Sequence, residues 1–435
     1  MVHVFRSLYQ DFGPIVELSA LGKKSVVIFD PDMYLQVHRA CGSCPFGATD
    51  TLWMLHAYFE NRKKLDSGFM KMDYGSGEEW IRVRKPMQKG LFVPESSTYY
   101  SEHLNEVCQD ASRLIVMEMQ KGKSLHEFLQ RLSFEMVSYS LLGKRMGALT
   151  NDEPLLRATI RSIECASAMM MSPIQEYNMT LNTRLWKDWV KSVDYMLERT
   201  AEIIENAIQS KSKKSYIDIL RENNELTMSQ IVSNIPGLMM AGFETVASTL
   251  SWTLIHLAQN EHCQAILYEE IQRVLGDRPF QKDDISHMPY LKSTIREVHR
   301  LTPTAFAILR RMDEPVVIDN YEIPAKAWLC FSPVGISMDP KFVESPEEFN
   351  PGRYLNRVAR EWPLFDHPLM RDGFGYGPRK CLGFRLAEME IWTVIVTLIR
   401  DYQISLAPGT KKFDIVNHAA TYPSPTPQLI FKKRT

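Results

Sequence analysis

Phe374-Gly375-Tyr376-Gly377-Pro378-Arg379-Lys380-Cys381-Leu382-Gly383, ten residues near the C-terminal end, place one cysteine in a tight glycine-flanked loop, with an arginine two positions before it and an apolar helical run behind. Gly375 and Gly377 can take backbone angles closed to other residues, so the chain can turn sharply and aim amide N–H groups at the sulfur. A thiolate at a helix N-terminus, shielded from water, is the axial ligand a haem iron needs when electron donation is to favour O–O cleavage. Cys381 reads as that ligand, Arg379 as the partner of a haem propionate, and Gly383 as the place where the next helix comes against the porphyrin. A lone cysteine in a turn is ordinarily a buried free thiol. Six fixed positions within ten residues set this one apart.

The pattern F-x-x-G-x-R-x-C-x-G, with Phe374 and Gly375 at its start, resembles the haem-binding loop of the cytochrome P450 monooxygenases. The resemblance implies haem b as cofactor and a single domain over residues 1–435. The reaction implied is hydroxylation of a small lipophilic substrate with O2 and electrons from a separate protein.

The 435 residues are 45% hydrophobic and 24% charged, with a formal net charge of −1, which gives no bulk attraction to nucleic acid. Seven cysteines, few, odd in number and scattered, argue for a reducing compartment without a disulfide framework. Cys41-x-x-Cys44 lacks a second pair to complete a zinc site. No stretch of about 18 uncharged apolar residues predicts a transmembrane helix, and Val2–Arg6 carries neither a secretory nor a transit-type pattern. A targeting or anchor segment is therefore expected to be absent at this end, where family members are usually longer. No G-x-G-x-x-G and no G-x-x-x-x-G-K-S/T occurs, so electrons are expected from a separate reductase system.

Pro14–Ser19 and Ser25–Ile28 alternate around Gly22 like a hairpin, and Asp30-Pro31 then opens a helix. From about residue 100 to 300 the pattern is helical, with charged linkers at 211–214 and 276–284. Strand-like segments return at Ala305–Ile308, Val316–Ile323, Leu329–Pro333 and around Tyr422–Phe431. The expected fold is mainly α with a small β-rich lobe built from both ends of the chain, which fits the cytochrome P450 fold.

Ala241-Gly242-Phe243-Glu244-Thr245 lies inside a long apolar helix that Thr227 and Gln230 start as a capping box. Gly inside a helix costs about 1 kcal/mol against Ala, so Gly242 needs a reason. One is a bulge that opens a groove for dioxygen. The other is close helix packing, with Thr245 bonded back to its own helix. The resemblance implies the first, with Thr245 steadying bound dioxygen and Glu244 feeding protons. Pro236, a turn upstream, removes one helix hydrogen bond.

Glu297 and Arg300 stand three apart on one helical face, with Phe349-Asn350-Pro351-Gly352-Arg353 further on. The resemblance implies that Glu297, Arg300 and Arg353 form a charged triad bracing the haem loop. Glu270 and Arg273 share the spacing and read as an ordinary exposed pair. Trp80 and Arg84 sit at i and i+4, and the resemblance puts both on a haem propionate together with Arg310. Arg310 and Arg311 are adjacent, and only one can face inward from a strand.

Lys292 and Arg296 lie off the inward face of the Glu297 helix, and Arg385 follows the cysteine loop. They form a cationic patch suited to an acidic electron donor. The run Tyr290–Glu297 resembles the mitochondrial branch of the family, which implies a 2Fe–2S ferredoxin as partner. Phe384 departs from that branch, which usually has a second Arg there. Leu181–Trp186 and Arg300–Pro303 look most like its vitamin D and steroid hydroxylases. By the same resemblance the substrate pocket is lined between residues 45 and 75, around Met170, along the helix at Met239 and Ala241, at Ala305, Phe306 and Ile308, and near residues 419–422. A flat lipid such as a sterol suits these mostly apolar positions. The mitochondrion, with peripheral membrane association, is the expected location and the endoplasmic reticulum membrane the alternative. Two rival readings are a peroxide-using isomerase or dehydratase of the same fold and a non-catalytic haem or lipid carrier.

Overall fold

The structure, a computed structural model, describes residues 2–20, 23–43, 53–62, 77–91, 96–172, 177–209, 215–355, 363–417 and 419–434. The longer helices are α1 (Val2–Phe12), α2 (Pro31–Cys41), α3 (Trp53–Arg62), α4 (Gly77–Gln88), α5 (Ser96–Gln120), α6 (Leu125–Leu142), α7 (Pro154–Met171), α8 (Arg184–Gln209), α9 (Tyr216–Asn223), α10 (Met228–Gln259), α11 (Glu261–Leu275), α12 (Pro289–Leu301) and α13 (Phe384–Asp401). The expected hairpin is present as β1 (Ile15–Ala20) and β2 (Lys23–Ile28), with Ile15 opposite Ile28 and Ala20 opposite Lys23. Asp30 caps α2, its carboxylate accepting from the Asp32 and Met33 amides at 2.8 and 3.0 Å, with Pro31 as first helical residue. The linker at 211–214 and most of the 45–75 stretch lie outside the described residues.

Where the strands pair departs from expectation. Ala305–Ile308 is not a strand; β3 spans Ile308–Arg311. The residues before it are engaged otherwise. The Thr304 hydroxyl meets Thr249 Oγ1 at 2.8 Å, and the Phe306 carbonyl accepts from Ser332 Oγ at 2.8 Å. The chain therefore runs along α10 before it joins the sheet. Val316–Ile323 is two strands, β4 (Val316–Ile318) and β5 (Tyr321–Ile323), turned at Asp319 with φ of 50°. β6 (Trp328–Phe331) pairs parallel with β2 and antiparallel with β3, giving the order β1-β2-β6-β3. The N-terminal end does join this sheet, but the C-terminal end does not. β7 (Tyr402–Leu406) pairs with β10 (Leu429–Lys433), and β8 (Asp414–Asn417) with β9 (Thr421–Ser424), in two separate sheets.

α10 is the axis of the helical body. Thr227 and Gln230 form the expected capping box, at 2.9 and 3.2 Å. By length and hydropathy α10 could cross a bilayer, but Phe243, Val246, Ala247, Leu250, Leu254 and Ile255 are all buried against other helices. It packs along α6, where the Phe134 and Phe243 rings sit edge-on with centroids 6.0 Å apart. The hydroxyls of Thr245, Thr249 and Thr253 donate to carbonyls four residues back at 2.9, 3.0 and 2.7 Å, so these polar side chains need no external partner.

The helix runs unbroken through Gly242, so the expected bulge is not there. A Cβ at Gly242 would lie 2.9 Å from Val137 Cγ2. The absence of a side chain is what lets α6 and α10 approach. Replacing Gly242 by Leu is expected to destabilise the protein by about 1–3 kcal/mol through overpacking, read as a lower urea midpoint. Adding Val137→Ala should restore part of the loss, and a double variant no more stable than the single one would place the strain elsewhere.

Candidate active site

The cysteine loop is closed on itself. The Cys381 amide donates to the Phe374 carbonyl at 2.9 Å and the Lys380 amide to Gly377 at 3.0 Å. Gly375 and Gly377 adopt φ of 72° and 74°, the left-handed region anticipated for them. Asp372 holds both ends, accepting from the Phe374 amide and from Lys380 Nζ at 3.2 Å each. Behind the loop, the Phe374 ring packs against His299 and Phe384.

Cys381 has solvent-accessible surface, yet it is desolvated by burial, which raises its thiol pKa. The sulfur is thus set among protein atoms yet borders open space. A hydrogen bond from the Gly383 amide and the charges of Arg84 and Lys380 work against that rise, so a backbone N–H does point at the sulfur. A Cβ built on Gly383 meets nothing within 4 Å, so there is open space at the start of α13. Ala241 and Thr245, one turn apart on the otherwise buried centre of α10, are also accessible, as is Ala305. α10 and α13 pack against each other.

Cationic and N–H donor groups gather at the edge of the loop. Trp80 is fully buried, and its Nε1 has no hydrogen-bond partner among the described residues. The Arg379 guanidinium lies 4.0 Å over the Trp80 ring, and Arg84, 5.8 Å from the same ring, donates to the Lys380 carbonyl. Of the adjacent arginines on β3, Arg310 is the buried one, whereas Arg311 lies over the Trp328 ring. Arg310 donates to the Leu309 carbonyl at 2.7 Å but leaves Nε without a partner. His38, not anticipated from the sequence, stands at this edge too. Its Nδ1 is 3.2 Å from where a Gly377 Cβ would be, and burial, then Arg310, lower its pKa to about 4. An indole N–H and three guanidiniums around one loop are the donor set that two propionates require, and the open space at Gly383 and beside the sulfur suits a flat macrocycle. The residues present fit haem.

Glu244 and Thr245, though adjacent, face different ways. Thr245 is accessible, while Glu244 is 7% exposed and accepts from Gln130 Nε2 of α6 at 2.9 Å. Burial raises its pKa to about 7, against the opposing Gln130 hydrogen bond.

The triad is present. Arg300 makes two hydrogen bonds to Glu297, both 2.8 Å, and Arg353 Nε reaches the same carboxylate at 2.9 Å. Arg300 also donates to the carbonyls of Ser337, Pro346 and Glu348, and Arg353 to those of Glu344, Ser345 and Glu348, so the triad ties α12 to the segment before the loop. Glu270 is not the exposed pair expected. It is buried, and its carboxylate accepts from the Tyr290 and Leu291 amides at 2.8 Å each, capping α12.

Lys292 and Arg385, far apart in sequence, both act on Glu388, as do Lys380 and Asp372. Arg296 lies over the Tyr354 ring at 5.4 Å and donates to the Arg371 carbonyl at 2.9 Å, so it is partly structural. Lys292, Lys380 and Arg385 thus gather around one carboxyl, with Lys380 also paired to Asp372 at 3.2 Å.

The expected pocket residues divide. Ala241 and Ala305 are accessible, and Ile308 lies nearest to Gly375, 3.8 Å from where its Cβ would be. Met239 is 1% exposed in the core. Phe306 packs on Phe5, centroids 5.5 Å apart, in the N-terminal cluster. Met170 packs with Trp189 and Met169 between α3, α7 and α8. Residues 420–422 are buried, and the Thr421 carbonyl accepts from Ser248 and Trp252 of α10. Of these positions Met239 and residues 420–422 are buried, whereas Phe306 and Met170 are half-buried and Ala419 is exposed.

The family model for cytochrome P450 matches residues 1–431. The chain belongs to the cytochrome P450 family. The P450s are haem-thiolate oxidoreductases, and haem b is the cofactor that the Cys381 loop would hold. Among curated relatives, mouse (Mus musculus) mitochondrial sterol 26-hydroxylase is 28% identical over 97% of this chain and 82% of that protein. The rat (Rattus norvegicus) mitochondrial 1,25-dihydroxyvitamin D(3) 24-hydroxylase is 27% identical over 98% and 83%, and the mitochondrial cholesterol side-chain cleavage enzyme of Hypanus americanus 27% over 94% and 81%.

In this P450 the triad carries an acid-stability signature. Burial alone would raise the Glu297 carboxyl, but Arg300 and then Arg353 hold it below its usual value. Its stabilising contribution is present at neutral pH and is lost only as pH falls through that lowered value. Glu297→Gln leaves two guanidiniums short of their counter-charge and is expected to cost about 3–5 kcal/mol at pH 7. The difference from wild type should shrink as the medium is acidified below the ordinary carboxylate range. Equal urea midpoints at neutral pH would remove the triad from the stability of the loop.

Proposed function

We propose that this chain is a mitochondrial-type, single-domain monooxygenase that hydroxylates a sterol-like or secosteroid-like lipid, taking electrons from a 2Fe–2S ferredoxin. The observation that carries the reading is Cys381, a desolvated sulfur in a closed, glycine-turned loop that gathers Trp80, Arg84 and Arg379 at its edge. Haem b, when bound, supplies reductive activation of dioxygen and insertion of one oxygen atom into a C–H bond. The protein supplies the rest. Cys381 would hold the haem iron through its sulfur, and Gly383 N–H, Arg84 and Lys380 offset the charge on that sulfur. Trp80, Arg84, Arg379 and Arg310 would hold the propionates. Thr245 offers an accessible side chain with a hydroxyl, and Glu244, with a pKa near 7, both takes up and releases a proton at neutral pH.

The small side chains of Ala241 and Ala305 leave room for a broad, rigid substrate, and the sterol and vitamin D hydroxylases among the relatives support that class. Exposed Tyr177 and Leu181, next to an Arg184 side chain 92% accessible, give this end of α8 the apolar-plus-cationic character of a membrane-surface contact. The relatives' mitochondrial names point to that organelle. Lys292 and Arg385 around Glu388 form the docking face for the ferredoxin.

Cys381→Ser should abolish the thiolate-type Soret shift of the reduced carbon monoxide adduct, and an unaltered spectrum would refute the ligand assignment. With cholesterol as probe substrate, Thr245→Ala is expected to divert electrons to peroxide, and unchanged coupling would remove the proton role of Thr245. Lys292→Glu with Arg385→Glu should weaken ferredoxin binding about tenfold and flatten its dependence on ionic strength. Wild-type affinity in that variant would move the docking face elsewhere.

A further inference from the structure

We propose that Gln130 is a positioning residue that connects the buried Glu244 carboxyl to solvent at the start of α6, so that protons reach Glu244 between α6 and α10. The inference rests on the reading of Glu244 as a proton source but concerns how that proton is replenished.

Gln130 is half-buried in the second turn of α6 and donates to Glu244 Oε2 at 2.9 Å. One turn earlier on the same face stands His126, its ring 4.3 Å from Tyr422. Before it come the Ser124 cap and the exposed Lys121-Gly122-Lys123 turn, so water is only two turns from the carboxylate. In the other direction the hydroxyl-bearing side chains Ser133 and Ser138 of α6 are fully buried and reach no solvent. Phe134 packs on Phe243, and Val137 fills the space left by Gly242. The polar opening therefore lies on the Gln130 side. The neighbouring cation, Arg131, is turned away to Glu118 at 2.6 Å and the Leu149 carbonyl at 2.7 Å. Among the described residues, burial raises the Glu244 pKa and the Gln130 hydrogen bond lowers it. The Gln130 amide carries no proton itself. It fixes the orientation in which the carboxyl meets water arriving past His126.

The test follows the Glu244 carboxyl by infrared spectroscopy in the full-length resting protein, its band assigned by loss in Glu244→Gln. Transfer from H2O to D2O replaces the acid proton by deuterium and shifts the band, and the rate of that shift measures access. Gln130→Leu and the similar-length Gln130→Met are expected to slow exchange about tenfold and to raise the titration midpoint by about one unit, the worth of one hydrogen bond. Exchange at the wild-type rate in both variants overturns the proposal. So does faster exchange, because a contact that merely seals the helix pair would open the cleft when removed. The result is independent of catalysis. If Glu244→Gln retains full coupling to product, the proton-source role falls while the access measurement stands.

Discussion

Desolvation of one sulfur sets the terms for the rest of the site. Burial pushes the Cys381 thiol up, and the Gly383 amide, Arg84 and Lys380 only partly offset it. A cysteine built as a free nucleophile has the opposite balance, with its pKa brought down in an electropositive, accessible setting. Here burial disfavours a free nucleophile, whereas a thiol that coordinates a metal ionises whatever its free pKa. The loop is therefore arranged for ligation. Its glycines turn the chain under the sulfur, Asp372 binds the Phe374 amide and Lys380 together, and the ring of Phe374 closes the rear against His299.

The buried carboxylates show how one chemical group is assigned opposite tasks by its neighbours. Glu297 and Glu244 are both removed from water. Glu297 meets two guanidiniums and the Asn350 amide, remains ionised, and acts as a fixed strut. Glu244 meets a single neutral amide and stays near its titration point at physiological pH. Charge compensation gives rigidity at the first position, and its absence gives a transferable proton at the second.

Much of this was legible in the chain because the relevant groups are close in sequence or obey a short-range rule. The cysteine loop, the capping box of α10 and the Asp30-Pro31 helix start are local patterns, and strand alternation allowed only one of Arg310 and Arg311 to face inward. The triad was legible through the family resemblance. What escaped depends on contacts between distant segments. Met239 looks like a pocket residue by position, but it turns into the core, and Phe306 shares its surface with Phe5, 301 residues away in the chain. Glu270 shares the spacing of Glu297, yet the start of α12 covers it and uses it as a cap. Asp372 and Gln130 belong to no motif; their roles exist only once the loop is folded and α6 lies beside α10.

Gly242 links the packing to the chemistry. An interior glycine had two explanations, a local opening of the helix or a close approach to a neighbour, and Val137 decides for the second. That approach has a consequence two residues later. Because Gly242 brings α6 near, the side chain of Gln130 spans the gap to Glu244 with a hydrogen bond of ordinary length. A larger residue at Gly242 would push the helices apart and lengthen that bond first, since a 2.9 Å contact has no slack. The conformational cost of glycine in a helix is thus offset by an interhelical geometry in which a buried acid keeps its one polar partner, and with it a titration point suited to neutral pH.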